Sequence, residues 1–171
     1  MKTLIGIFIL IALIVLGGFF ISRNGAPSAA ADTLPTVSLQ DAAGNTTAIQ
    51  EFQDGDRVLV INSWATWCPF CVQELPDFAA LQEEFADDIL VIAVNRRESV
   101  ERSVSYLSDL GVERDLTYLY DASDGWYRAI GGFSMPETLF VSAGGEIVVH
   151  KRGFMALDEM RDHVETALAG N

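Results

Sequence analysis

Basic side chains are scarce in this chain, which has 11 lysines and arginines against 24 aspartates and glutamates and a formal charge of −13. Two of the basic residues, Lys2 and Arg23, flank an apolar N-terminus. Beyond residue 23 there remain 9 basic against 24 acidic side chains, a net of −15. A phosphate backbone needs a basic face, so nucleic acid is excluded as a partner. The acidity reads as a soluble, self-repelling surface, with a basic partner steered by the negative field as the alternative. Cysteine is scarcer still. Two cysteines in 171 residues cannot staple a scaffold, so the pair reads as reactive rather than structural. The only histidines, His150 and His163, lie far from both along the chain. A closed zinc site needs four ligands, so no metal is expected. A haem-attachment motif and internal repeats are also lacking.

What is present centres on Ser63-Trp64-Ala65-Thr66-Trp67-Cys68-Pro69-Phe70-Cys71-Val72-Gln73-Glu74-Leu75-Pro76. The apolar run Val58-Leu59-Val60-Ile61 leads in, and a segment of helical spacing leaves. Cys68 therefore falls where a strand ends and a helix begins. Unpaired N–H groups and a partial positive charge at that helix start favour a thiolate over a thiol. Cys71, one turn on, is placed to close a short disulfide with Cys68. The pattern points to thiol–disulfide exchange.

Leu4 to Ile21 is uncharged and as a helix spans about 27 Å, enough for a hydrocarbon core. Cleavable signal peptides have shorter apolar stretches with a small-residue site close behind. Here Ala29-Ala30-Ala31 comes well after Ile21, so residues 1–23 read as a retained membrane anchor, with cleavage as the alternative. Lys2 precedes the span, only Arg23 follows it closely, and an acidic domain comes next. The globular part is therefore expected outside the cytoplasm, at the periplasmic or outer face of the membrane. Residues 24–34, rich in alanine with Gly25, Pro27 and Ser28, read as a flexible linker, and residues 35–171 as one domain.

Within that domain Val37 and Leu39, the turn Asp41-Ala42-Ala43-Gly44-Asn45 and Thr46 to Ile49 predict a β-hairpin. Arg57 to Ile61 and Ile89 to Val94 are continuous apolar strands suited to burial on both faces. Leu75, Phe78, Leu81 and Phe85 mark the helix after Cys68, which Pro76 should kink. Ser99 caps a helix with a stripe of Val100, Val104, Leu107 and Leu110, stopped by Gly111. Leu116 to Tyr120 reads as a strand and Trp126 to Ile130 as a short helix. A hairpin of Thr138 to Ser142 with Glu146 to His150 follows, and Leu157, Met160, Val164 and Leu168 mark the last helix. After the opening hairpin the order is β-α-β-α-β-α-β-β-α.

That order and these motifs resemble the thioredoxin fold, and more narrowly the membrane-anchored TlpA/ResA-like thiol–disulfide oxidoreductases, which include proteins serving cytochrome c maturation. The residues carrying the likeness are Val58-Leu59-Val60-Ile61-Asn62 and Trp64-Ala65-Thr66-Trp67-Cys68-Pro69-Phe70-Cys71. It continues through Glu74-Leu75-Pro76 and Ser134-Met135-Pro136-Glu137-Thr138-Leu139-Phe140-Val141. A bare Cys-x-x-Cys is weak evidence. Trp-x-x-Trp-Cys-x-x-Cys between strand and helix, joined by Met-Pro-x-Thr entering a later strand, is strong.

The resemblance implies a thioredoxin-like mixed α/β sheet flanked by helices, with an N-terminal β-hairpin extension and a preceding transmembrane helix. It implies Cys68 as nucleophile and Cys71 as the thiol that resolves the mixed disulfide. Glu74 matches a glutamate such proteins keep near the cysteines, placed to hold or pass a proton when Cys71 ionises; the alternative is a solvated helix carboxylate. Asn62 stands where cytoplasmic thioredoxins carry a buried aspartate, and an amide cannot relay that proton. The Met135–Pro136 bond is implied to be cis, with Met135 offering its backbone to an extended substrate segment. Trp67, Pro69 and Phe70 complete the expected substrate surface, with Phe133 a further candidate; of Trp64 and Trp67, one is expected in the core. Neither Pro69 nor Phe70 is basic, which leans the pair towards thioredoxin's acidity and away from that of a strong oxidant.

The expected activity is reduction of protein disulfides, apocytochrome c being the family's best-known target. The redox-active Cys68–Cys71 pair is the only redox group, a membrane thiol carrier supplies electrons, and the protein acts as a monomer. The alternatives are an oxidant or isomerase, and a non-catalytic module that only binds peptides.

Overall fold

Strand and helix formation follow the hydrophobic pattern closely. The computed structural model describes residues 33–170, so the expected membrane anchor and most of the linker lie outside the described residues. Among the described residues no helix is long and apolar enough to cross a membrane. Two residues of the expected linker belong to the folded domain: Thr33 bridges to Glu146, and Leu34 is buried in the core.

The strands are β1 (Ser38–Gln40), β2 (Thr46–Ala48), β3 (Val58–Trp64), β4 (Ile89–Arg96), β5 (Thr117–Asp121), β6 (Glu137–Val141) and β7 (Ile147–Arg152). The helices are α1 (Pro69–Phe85), α2 (Val100–Leu110), α3 (Gly125–Ala129) and α4 (Leu157–Ala169). They form one sheet in the order β2-β1-β5-β4-β3-β6-β7. β3 is central, parallel to β4 and antiparallel to β6, and every one of its residues is buried. This is the mixed thioredoxin-like sheet that the resemblance implied, including the N-terminal hairpin of β1 and β2. The hairpin turn is held by the Asp41 carboxylate, which accepts the amides of Ala43 and Asn45 at 2.9 and 2.8 Å.

Successive parallel strands β3, β4 and β5 step in one direction across the sheet. Right-handed crossovers then place α1 and α2 on the same face. On that face Val60, Val91 and Phe140 pack against Phe78 and Leu81 of α1 and Met160 and Val164 of α4. Towards the C-terminal end of β3, Trp64 and Ala93 meet Cys71 and Leu75 of α1 and Leu107 of α2. The opposite face packs Leu59, Ile61, Ile92 and Leu139 against Trp126 and Tyr127 of α3. Each fully buried large side chain contributes about 1.5–3 kcal/mol of transfer free energy.

Some elements differ from expectation. β3 runs on through Asn62, Ser63 and Trp64 because these residues pair with Ala93, Val94 and Asn95 of β4. On α2, Val104 is exposed, and Ser103 with Leu107 faces the core.

Candidate active site

The parallel strands deliver their C-terminal ends to one edge of the sheet, where open α/β folds build sites. There β3 stops at Trp64, a short turn closes with the Cys68 amide donating to the Ala65 carbonyl at 3.1 Å, and α1 begins. Cys68 is the N-cap of α1, and Pro69 occupies the first turn, where its missing N–H costs nothing. The Cys71 amide donates to Cys68 Sγ at 3.2 Å. The helix start therefore directs an N–H group and the positive end of its dipole at one sulfur.

Cys68 and Cys71 are joined in a disulfide, with S–S 2.03 Å and Cα–Cα 5.3 Å. Cys68 is more enclosed than a helix start in open solvent, keeping 5% of its surface, and Cys71 keeps none. Only the first sulfur can meet a large partner. Around it Trp67 is 54% and Phe70 59% exposed, while Trp64 is wholly buried with its ring edge-on to Tyr118. The two tryptophans thus divide between surface and core.

Glu74 lies one turn beyond Cys71 on α1 and is fully buried, so it is no solvated helix carboxylate. Its Oε1 accepts the Met155 amide at 2.5 Å, and Oε2 has no hydrogen-bond partner among the described residues. Burial pushes its pKa up to about 8, with the Met155 amide and the charge of Lys151 acting in the opposite direction. A neutral carboxyl at pH 7, next to a buried cysteine, can take up or release a proton within the protein interior. Asn62 is also buried, and its amide donates to Thr138 Oγ1 at 3.0 Å.

Met135–Pro136 is a cis peptide bond. Met135 packs against the cluster that contains Trp64, Cys68 and Cys71, and Pro136 is buried at the entry to β6. The Pro136 carbonyl accepts the Gly153 amide at 2.8 Å. Phe133, two residues before Met135, is 87% exposed.

Three groups at this edge escaped the sequence reading. Glu98, after β4, accepts the Thr66 amide at 2.7 Å, the Thr66 hydroxyl at 2.5 Å and the Asn95 amide group at 3.0 Å, and pairs with Arg102 at 3.1 Å. It thereby ties down the turn that presents Cys68. Its only local signal is its position three residues after a buried asparagine and just before a helix cap. Glu137 is buried beside Pro136, yet stood in the motif as an unspecified residue. Phe154, whose ring centroid lies 6.1 Å from that of Phe70, gave no local signal because the contact joins residues far apart in sequence.

Comparison with known proteins fits this geometry. A family model described as Redoxin matches residues 29–168. The thioredoxin-like protein YneN of Bacillus subtilis is 34% identical over 133 residues, which cover 77% of this chain and 76% of that one. The thiol:disulfide interchange protein DsbE of Vibrio cholerae is 28% identical over 149 residues, covering 81% and 79% of the two chains. Among solved structures, a putative thiol:disulfide interchange protein DsbE from Chlorobium tepidum superposes with a TM-score of 0.71 at 23% identity, over 80% of this chain and 96% of that one. This last likeness bears on the fold alone.

Proposed function

Because the chain belongs to the Redoxin family and is a thioredoxin-fold thiol–disulfide oxidoreductase, we propose that it acts outside the cytoplasm as a reductant of protein disulfides, tethered to the membrane by residues 1–23 through a linker over 24–34. Its redox group is the cysteine pair itself. In the reduced protein the Cys68 thiolate attacks a substrate disulfide, forms a bond to one substrate sulfur and expels the other as a thiolate. Cys71 then loses its proton and attacks Cys68 Sγ, which closes the Cys68–Cys71 disulfide and releases the second substrate thiolate. Two electrons pass to the substrate. A membrane dithiol carrier returns the pair to its reduced state by the same exchange.

The observation that carries this reading is the difference between the two sulfurs. Cys68 caps the helix and receives the Cys71 amide, whereas Cys71 is sealed beside Glu74. A sulfur that receives an N–H group and keeps some surface suits attack on a partner. A sealed sulfur beside a proton-holding carboxyl suits the internal second step. Trp67, Pro69 and Phe70 supply the docking surface, and Met135 with Pro136 supplies the backbone against which an extended substrate segment lies. The acidic surface favours a basic substrate, and the resemblance to cytochrome c maturation proteins makes apocytochrome c the candidate. The protein acts as a monomer in this scheme.

The test combines trapping with a potential. The Cys71→Ser variant should accumulate mixed disulfides between Cys68 and its substrates, and identification of those partners names the target. A reduction potential at or below about −250 mV supports a reductant, while one near about −120 mV overturns that direction of electron flow. Failure to trap any partner favours a module that only binds peptides.

A further inference from the structure

The carboxylate directly after Pro136 is buried among donors from three directions. Oε2 of Glu137 accepts the amide of Phe133 at 2.9 Å and that of Ser134 at 3.3 Å. Oε1 lies 2.6 Å from His150 Nε2 and accepts Arg152 Nε at 3.0 Å. Burial raises the Glu137 pKa, but the bonds from His150, Phe133 and Ser134 outweigh it and leave the carboxyl below its ordinary value. Arg152 is the ladder partner of Glu137 across β6 and β7, and His150 stands two residues away on the same strand face.

The backbone that Glu137 holds is the segment running into the cis bond. At its start Gly132 has no room for a side chain, since a Cβ there would come within 2.5 Å of the Tyr127 ring and of the Tyr127 carbonyl oxygen. At its end the chain enters β6 between β3 and β7. Between these fixed points neither Phe133 nor Ser134 is held by side-chain burial: Phe133 is 87% exposed and Ser134 half-buried. Their amides are fixed from below by the carboxylate. A buried carboxylate is costly unless its lone pairs are filled, and here both oxygens are in use. Two of those bonds constrain a loop that contributes little to the core.

We propose that Glu137 is a positioning residue for substrate capture: by accepting the Phe133 and Ser134 amides it fixes the Met135 backbone in the conformation that receives a disulfide-bearing peptide, and His150 and Arg152 hold the carboxylate in place. This rests on the reading that Met135 docks the substrate strand. Glu137 touches neither sulfur, so its removal acts on capture and not on the chemistry of Cys68.

The experiment compares a peptide disulfide with the small disulfide DTNB (dithionitrobenzoate) as substrates of the reduced protein. Glu137→Met keeps side-chain length and removes both acceptors. It should raise KM for the peptide roughly ten-fold or more, from the loss of two charge-assisted bonds, and leave the DTNB rate within about two-fold. Glu137→Gln retains one acceptor oxygen for the two amides and should restore most of the peptide KM. A Met variant with wild-type peptide KM overturns the proposal, as does one that slows DTNB to the same extent, and as does a Gln variant no better than the Met one. A wild type with no preference for the peptide over DTNB overturns the strand-docking reading itself, which separates the two failures. Should the Met variant not fold, hydrogen exchange decides on the Cys71→Ser protein carrying a trapped peptide. The Phe133 and Ser134 amides should stay protected on capture while the Met135 amide gains protection; loss of protection at the first two overturns the proposal.

Discussion

Replacing Glu74 with glutamine removes a proton-binding site from the interior and leaves its size almost unchanged. In the folded protein this carboxyl titrates near 8, against an ordinary value of 4.5, chiefly because burial disfavours its anion. Below pH 4.5 both folded and unfolded chains carry the proton, and the site adds no pH dependence. Between 4.5 and 8 the unfolded chain has lost the proton and the folded one keeps it. Stability therefore falls as pH rises, and the loss is complete once pH passes 8. At about 1.4 kcal/mol per pH unit, the span amounts to on the order of 5 kcal/mol. Glutamine retains an oxygen for the Met155 amide and has no proton to lose. The assay is urea unfolding of the oxidised protein from pH 5 to 9, subtracting wild type from Glu74→Gln so that the other 23 acidic residues cancel. The variant should gain relative to wild type by several kcal/mol across this range, and in exchange kinetics the inflection near pH 8 should vanish. Parallel stability curves for the two proteins would refute the reasoning, because they would mean that Glu74 titrates alike in both states.

Two further outcomes follow from the same geometry. Glu98→Ala leaves the Thr66 amide and hydroxyl without their acceptor; it should cost about 1–3 kcal/mol and slow alkylation of reduced Cys68, and an unchanged thermal midpoint with unchanged alkylation would show that Glu98 does not hold the turn. Trp67→Ala removes an exposed ring, so stability should stay within about 0.5 kcal/mol while KM for a protein disulfide rises several-fold; a large loss of stability instead would assign Trp67 to the core.

What could be read from the chain depended on the range of the interaction. The turn at Asp41 to Asn45, the Ser99 cap and the Gly111 stop depend on neighbours within a few residues, and the structure has all three. The order of strands and helices was legible because buried parallel strands give continuous apolar runs. The stripe on α2 was misread at Val104 because hydrophobicity alone assigned it inward. The helix instead turns the small Ser103 towards the core, in register with Leu107. The active edge was legible as far as two motifs reached, from Trp64 to Glu74 and from Met135 to Thr138. Beyond that the site is assembled across distance. The Met155 amide that meets Glu74 lies 81 residues away, and the arginine that meets Glu137 comes from the next strand. No periodicity encodes such contacts.

The three buried glutamates at this edge perform one mechanical task with different electrostatics. Glu98 accepts the amide of Thr66, Glu137 those of Phe133 and Ser134, and Glu74 that of Met155. Each carboxyl thus holds one stretch of backbone: the turn before Cys68, the loop into the cis bond and the loop before α4. Glu98 is paired with Arg102, and Glu137 with Arg152 and His150. Glu74 has no cation within bonding distance among the described residues, and its second oxygen has no hydrogen-bond partner. Lys151, which acts on Glu74 through its charge, is itself bonded to Glu159 at 2.5 Å. An anchor bonded to an arginine is held by that bond as well as by the backbone amides it accepts. In an anchor without one, burial pushes the pKa up to about 8. The same residue type therefore supplies two carboxyls bonded to arginine and one that burial pushes towards its neutral form, and the distinction lies in which carboxyl was left without an arginine.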